Sequence, residues 1–89
     1  EDVTKVKNVL VNILKKNPLV LEDPAFFVGI SMHGDSAINF AVKAWCKTED
    51  YWTVYYDLLE TVKVRFDEEG ISIPYPQMDL HVKKNIIID

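Results

Sequence analysis

The sequence predicts an α+β fold in which two helices pack on one face of a small β-sheet, giving a two-layer sandwich. Apolar residues recur at helical spacing in two segments, one near the amino terminus and one at residues 48–69. Between them, two segments alternate apolar and polar residues with a period of two, which is typical of strands with one buried face. The order helix, strand, strand, helix is typical of one compact domain with segregated layers.

The first helix is predicted over Val3–Lys16, where apolar side chains fall at helical spacing at Val3, Val6, Leu10, Ile13 and Leu14. Asp2 is a candidate N-cap, because its carboxylate can accept a hydrogen bond from an amide of the first turn. Asn17 and Pro18 are expected to end the helix, since a residue that precedes proline avoids helical backbone angles.

A β-hairpin is predicted after a connection at residues 19–24. Apolar side chains share one face of its first strand at Phe26, Val28, Ile30 and Met32, and one face of its second strand at Ile38, Phe40, Val42, Ala44 and Cys46. Because directly opposed residues share a face, Met32 should pair with Ile38, and Ile30 with Phe40. This register requires a loop of three or five residues, or a bulge, around residues 34–36.

The second helix is predicted to start at a Thr48 cap and to end at Gly70 in the left-handed conformation. Its apolar stripe runs through Trp52, Tyr55, Leu59, Val62 and Phe66, widened by Leu58. Such a stripe is usually a seam against a sheet, so Trp52 and Tyr55 are interpreted as core residues.

With a short extended piece at residues 71–73, the order of elements lacks only a first strand to give the βαββαβ plan of a ferredoxin-like fold. That strand is expected upstream of Glu1. Residues 1–73 are therefore predicted to form a ferredoxin-like sandwich in which both helices lie on one face of an antiparallel sheet.

The prolines of the PYPQ segment, residues 74–77, predict a stiff extended spacer, because Pro74 and Pro76 have no amide donor. Beyond it, Met78, Leu80 and Val82 alternate with polar residues, as in a strand that is dry on one side. Every strand of the parent sheet is already assigned, so residues 78–89 are interpreted as an oligomerisation strand and tail. Copies of this strand from other subunits would close a parallel inter-subunit β-barrel. The place of residues 86–88, an apolar run without alternation, stays open.

Composition excludes several classes of function. The net charge of −4 and the pI near 5.0 argue against nucleic-acid binding, which needs clustered cations. The single cysteine, Cys46, suits a reducing compartment, and its buried parity indicates a core side chain rather than a nucleophile. His33 and His81 are expected to be exposed, and no metal-ligand spacing occurs. The chain is interpreted as a non-enzyme with no catalytic residue, metal site or cofactor.

Residues 38–82 resemble the carboxy-terminal cytoplasmic domain of the bacterial mechanosensitive channel of small conductance (MscS) family. The resemblance is specific in three places: the strand that ends in Trp45, the Tyr-rich helix that runs to Phe66, and Gly70-Ile71 followed by Pro74-Tyr75-Pro76-Gln77. Residues 6–24 fit the same domain more loosely.

The resemblance implies a homoheptameric channel of the bacterial inner (plasma) membrane that opens under bilayer tension and releases ions and small solutes on hypoosmotic shock. This domain would be cytoplasmic, and residues after Gln77 would close the base of a cytosolic cage. Contact with the membrane would be made only by a preceding part of the protein. An alternative is a ferredoxin-like regulatory domain that binds a small metabolite between subunits, although such a domain has no need of PYPQ and the strand after it.

Two sets of residues are candidates for function. The predicted oligomer interface comprises Trp45, Pro74, Tyr75, Pro76, Gln77, Met78, Leu80 and Val82. Trp45 is included because it lies on the strand face away from the helices, where we expect a neighbouring chain or a preceding domain to cover it. Asp67, Glu68 and Glu69 are interpreted either as a solvated helix end or as a ring of negative charge near a side portal of the cage.

Overall fold

The computed structural model describes residues 2–33, 37–72 and 75–83. In chain order its elements are α1 (Val3–Lys16), β1 (Phe27–His33), β2 (Ala37–Lys47), a 3₁₀ turn (Thr48–Asp50), α2 (Tyr51–Glu68) and β3 (Gln77–Lys83). The strands form one sheet in the order β1-β2-β3. α1 contacts β1 and β2, and α2 contacts β2 and β3. The predicted α+β two-layer arrangement, compatible with a ferredoxin-like sandwich, is confirmed.

α1 has the bounds that the sequence predicts. The Asp2 carboxylate accepts a hydrogen bond from the Lys5 amide at 3.2 Å, which satisfies one free donor of the first turn. Asn17 ends the helix with extended backbone angles, and its side chain accepts a bond from the Leu19 amide at 3.0 Å. These contacts turn the chain away from the helix axis and towards β1.

The hairpin has the predicted register. β1 pairs with β2 antiparallel, with Met32 opposite Ile38 and Ile30 opposite Phe40. The loop at residues 34–36 lies outside the described residues. Part of the even-numbered face of the hairpin meets both helices in one apolar core, which contains Val28, Phe40, Val42, Ala44 and Cys46 from the strands. The helices and their flanks supply Val6, Val9, Leu10, Ile13, Leu14, Val20, Val54, Leu58, Val62, Phe66 and Ile71. Ile30 and Ile38 lie on the same face of the hairpin nearer the loop, where the helices do not cover them, and they are 41% and 37% exposed.

The buried stripe of α2 differs from the prediction. The helix buries residues four apart, at Val54, Leu58, Val62 and Phe66. Trp52 is 63% exposed, so its assignment to the core is wrong, and Tyr55 is only half-buried. α2 also begins at Tyr51, after a 3₁₀ turn, rather than directly after a Thr48 cap. Wholly apolar side chains take the seam because a buried indole or phenol needs a hydrogen-bond partner.

α2 ends as predicted. Gly70 has a φ of 69°, a left-handed conformation that favours glycine. The Ile71 amide donates to the Phe66 carbonyl at 2.8 Å, and the Gly70 amide to the Asp67 carbonyl at 3.3 Å, which together make a Schellman motif. Ile71 and Phe66 are both buried in the core, so the motif fixes the direction in which the chain leaves the helix.

The strand after the prolines is not without a partner in its own chain, so that expectation is wrong. β3 lies parallel to β2, with Val42 opposite Met78 and Ala44 opposite Leu80. The sheet is therefore mixed rather than antiparallel, and β3 starts one residue earlier than predicted, at Gln77. Residues 71 and 72 are not a strand, and residues 73 and 74 lie outside the described part of the chain.

The physical reason lies in β2 and α2. β2 is 11 residues long, and β1 satisfies the donors and acceptors of only one of its edges. A strand that returns through a helix naturally lies parallel to the strand before that helix. β3 therefore satisfies the second edge of β2 after the crossover through α2.

Candidate functional site

β3 is an edge strand with a partly covered inner face. Met78, Leu80 and Val82 pack against the core, yet each is only half-buried, whereas the residues opposite them on β2 are fully buried. β3 is the last strand in the order β1-β2-β3, so within the described residues its second edge has no strand partner. Such an edge offers backbone donors and acceptors to another strand.

Trp45 is covered in part by its own chain. It lies opposite His81 across the β2–β3 ladder, and the two rings stack with centroids 5.0 Å apart and an interplanar angle of 24°. His81 is half-buried rather than exposed as predicted. Its Nε2 atom is shielded from solvent and lies 3.4 Å from Asp79 Oδ2, without hydrogen-bond geometry. This stack fastens β3 to β2 on the outer face, and cover of Trp45 by another chain stays a prediction.

The remaining predicted interface residues lie around the start of β3. Pro76 is buried and Gln77 is exposed, opposite Ala41 of β2. Tyr75 is 54% exposed and lines a cavity of about 490 Å³ beside the end of α2. Pro74 lies outside the described residues. The structure thus brings Trp45 next to β3, while Tyr75 lies near the carboxyl end of α2.

The three carboxylates at the end of α2 all have cationic partners. Lys63 lies 3.3 Å from Asp67, and Arg65 lies 3.9 Å from both Glu68 and Glu69. Exposed pairs of this kind contribute little stability, but they reduce the negative field of the helix end. The portal role of these carboxylates stays a prediction.

Arg65 also joins the two helices, because its Nη1 donates to Asn12 Oδ1 at 3.0 Å. At the other end of the same seam, Lys5 donates to the Glu69 carbonyl at 2.8 Å. The sequence analysis missed this connection. Asn12, the single polar residue within residues 9–14, was the signal available for it.

Four aromatic residues at the start of α2 form a cluster that the sequence analysis placed partly in the core. This aromatic cluster consists of Tyr51, Trp52, Tyr55 and Tyr56, whose rings contact one another with centroids between 5.0 and 6.2 Å apart. Trp52 and Tyr56 stack on the solvent side, with exposed fractions of 63% and 62%. Ring-on-ring packing orders these side chains while leaving their faces accessible.

Cys46 is a core residue, as predicted. Its side chain is fully buried at the carboxyl end of β2. Burial raises the pKa of the Cys46 thiol above its ordinary value, and the nearby Asp50 carboxylate raises it further. The thiol is therefore held in its unreactive, protonated form.

We expect Cys46 to react with an aromatic disulfide reagent at pH 8 at least about 100-fold more slowly in the folded chain than in the same chain unfolded by urea. The raised pKa of the folded state also makes stability depend on pH. The contribution of the buried, protonated Cys46 thiol is full below the unfolded pKa of about 8.5 and is lost as the pH rises through the folded pKa. Reagent absorbance followed in time measures both rates. Equal rates would show that the thiol is accessible.

In residues 2–33, 37–72 and 75–83 no three acidic, histidine or cysteine side chains gather closely enough to hold a metal ion. Within the same part of the chain, no helix has the length and apolar character needed to cross a membrane.

Comparisons with known proteins identify the family. Residues 1–73 match the sequence model described as "Mechanosensitive ion channel MscS, C-terminal". The chain is 40% identical over 82 residues to an uncharacterised MscS family protein of Synechocystis, and 41% identical over 83 residues to one of Buchnera aphidicola subsp. Baizongia pistaciae. It is 36% identical over 81 residues to the small-conductance mechanosensitive channel of Edwardsiella ictaluri.

These alignments cover 92%, 93% and 91% of this chain, but only 28%, 30% and 28% of the respective relatives. The chain thus spans less than a third of the length of the curated relatives it matches. Because the family model covers residues 1–73 and these relatives share more than a third of the aligned residues, the chain belongs to the MscS mechanosensitive ion channel family, as its C-terminal domain.

Proposed function

We propose that this chain is the cytoplasmic C-terminal domain of a mechanosensitive channel of the bacterial inner membrane. The observation that carries the proposal is the match of residues 1–73 to the MscS C-terminal family model. The relative from Edwardsiella ictaluri is itself named a small-conductance mechanosensitive channel. These matches favour a channel domain over a metabolite-binding regulatory domain, and a non-enzymatic role over catalysis.

Within that channel the domain assembles as a homo-oligomer, a heptamer in this proposal, and closes the base of the cytosolic cage. The structure supports assembly through β3 less strongly than the sequence pattern did, because one edge of β3 is already hydrogen-bonded to β2 of the same chain. What remains is its second edge, which no strand of the described residues pairs with, and the half-buried state of Met78, Leu80 and Val82. In the assembled cage, β3 would exchange β2 for the corresponding strands of neighbouring subunits.

The channel would release ions and small solutes when hypoosmotic shock stretches the membrane. The carboxylates at residues 67–69 would lie near a portal of the cage and influence which ions enter. Their ion pairs with Lys5, Lys63 and Arg65 mean that this influence would depend on the balance of the whole helix end.

The test uses the full-length protein in a bacterial strain that lacks its own mechanosensitive channels. We expect tension-activated conductance in excised membrane patches and survival of an abrupt osmotic downshift. The mass of the purified assembly should correspond to seven subunits. A protein ending at Gln77 is the matched comparison, and it should yield fewer or less stable assemblies. Correctly inserted protein without tension-activated current would contradict the channel proposal, and a different subunit number would contradict the heptamer.

A further inference from the structure

We propose that the aromatic cluster of one copy docks into a cleft beside the carboxyl end of α1 in a second copy, so that two different surfaces of the domain meet. The inference rests on the proposed function, because it names the surfaces through which the domain assembles. Trp52 and Tyr56 are the anchors, with exposed fractions of 63% and 62%. Trp and Tyr are enriched among the residues that carry most of the binding energy in protein interfaces, and two stacked rings bind without much loss of side-chain entropy.

The receiving surface is the loop cleft, a cavity of about 530 Å³ between the end of α1 and the start of β1. Its lining is mainly apolar and includes Leu14, Pro18, Val20, Leu21, Ala25 and Phe26. A cavity of this size accepts an aromatic side chain, and its apolar lining would exclude water from the ring face. Lys15 and Glu22 supply its charged groups.

The two surfaces lie at the same end of the domain. α1 and α2 are antiparallel, because Lys5 in the first turn of α1 contacts Glu69 at the end of α2. The carboxyl end of α1, with the loop cleft beside it, is therefore level with the amino end of α2, where the aromatic cluster lies. Copies placed side by side would bring a cluster and a cleft together without any shift along the helix axes.

The two surfaces also lie on opposite flanks. The side of α2 that faces α1 carries Thr61 and Arg65, which line a groove with Ile13 of α1. Trp52 and Tyr56 each precede one of these residues by nine positions, about two and a half helical turns, so they lie on the far side of α2. The loop cleft lies on the other flank, where the chain enters β1. A contact between different surfaces on opposite flanks repeats from copy to copy and can close a ring.

Charge complements this arrangement. α1 carries four lysines and no carboxylate, whereas residues 48–69 carry seven carboxylates and two cations. Within the described ranges, Lys7 and Lys15 on α1 and Glu49 and Glu60 around α2 lie away from the groove between the two helices and make no ion pair in their own chain. Opposite charges on the two flanks attract consecutive copies and disfavour the contact of two identical flanks.

A complementation experiment tests the proposal on the 89-residue chain. One variant, Trp52→Ala combined with Tyr56→Ala, removes the anchors, and a second, Ala25→Trp, fills the loop cleft. In sedimentation velocity at up to about 1 mM, we expect the unmodified chain to form oligomers and each variant alone to be monomeric. An equimolar mixture should form dimers, because the intact cluster of one variant meets the intact cleft of the other.

Val64→Ala is the matched control, since it removes a side chain that is 48% exposed on the same helix but outside the cluster, and it should assemble like the unmodified chain. Lys15→Glu serves as a second cleft variant that leaves the apolar lining intact. It should weaken assembly at least tenfold in low salt and by less in about 0.5 M salt, where charges are screened. Circular dichroism confirms that each variant is folded.

An unmodified chain that stays monomeric at every concentration overturns the proposal, as does Ala25→Trp assembling alone or a mixture of two folded variants that stays monomeric. These outcomes are independent of the channel test. Loss of tension-activated current with intact assembly of the 89-residue chain contradicts the proposed function alone, and current without this assembly contradicts the inference alone.

Discussion

Replacing Leu10 by alanine is expected to lower the free energy of unfolding by about 3 kcal/mol, within the roughly 2–5 kcal/mol seen for buried leucine truncations. Leu10 is 1% exposed and lies at the centre of α1, where the core leaves little freedom to collapse around the lost atoms. A domain of this size has a stability of roughly 4–13 kcal/mol, so a large part of it would disappear.

Urea unfolding followed by circular dichroism measures this change, and thermal unfolding should show a midpoint lowered by roughly 15 °C. Asn8→Ala is the matched control because Asn8 is exposed on the same helix, so its stability should change by less than about 0.5 kcal/mol. If Leu10→Ala and Asn8→Ala had the same midpoint, α1 would not pack on the sheet as the structure shows.

The parts of the fold that the sequence predicted well are those where one local pattern has only one solution. The hairpin register followed from parity together with a short connection. Apolar residues at even positions in both strands exclude a shift by one residue, and the expected loop around residues 34–36 selects the pairing of Ile30 with Phe40 among the rest. The limits of α1 and the glycine at the end of α2 are likewise set by residues with strong backbone preferences, such as Asp2, Pro18 and Gly70.

α2 was harder because its apolar residues occupy most of its circumference. The predicted and observed stripes share Leu58, Val62 and Phe66. The predicted one continues through Leu59 and Tyr55 to Trp52, whereas the observed one continues to Val54. Periodicity gives both nearly equal weight. The aromatic cluster, the strongest candidate docking surface, could therefore not be separated from the core by spacing. The polar atoms of Trp and Tyr were the better guide to which stripe stays exposed.

The position of β3 was not predictable from its own residues. Alternation in Met78, Leu80 and Val82 shows that a strand has one dry face, but it does not specify which strand lies beside it. The Trp45–His81 stack was unpredictable for the same reason, since it depends on a register between β2 and β3 that neither strand encodes by itself. A partner is chosen by which edge remains unsatisfied, and that is a property of the whole sheet.

A chain that ends at Pro76, and so lacks β3, is expected to lose about 2–4 kcal/mol of stability, because one edge of β2 becomes unpaired and its side chains are uncovered. Ala44 and Cys46, which are 1% and 0% exposed, lie directly opposite β3 residues. Hydrogen exchange should show loss of protection in the amide groups of β2, while those of β1 that are paired with β2 change less. A chain that ends at Lys83 is the matched control.

Dependence on concentration distinguishes the two possible partners of this strand. If β3 is bonded to β2 of its own chain, truncation lowers the unfolding free energy by the same amount at all protein concentrations. If other copies complete the strand, the loss of stability on truncation must instead rise with concentration, because association through β3 stabilises only the folded intact chain. Dilution from about 100 μM to about 1 μM would then reduce this loss by up to about 2.7 kcal/mol through mass action, a difference that urea unfolding resolves. Truncation without effect at low concentration would show that β2 does not need β3, and the strand would be free in every subunit to join its symmetry mates.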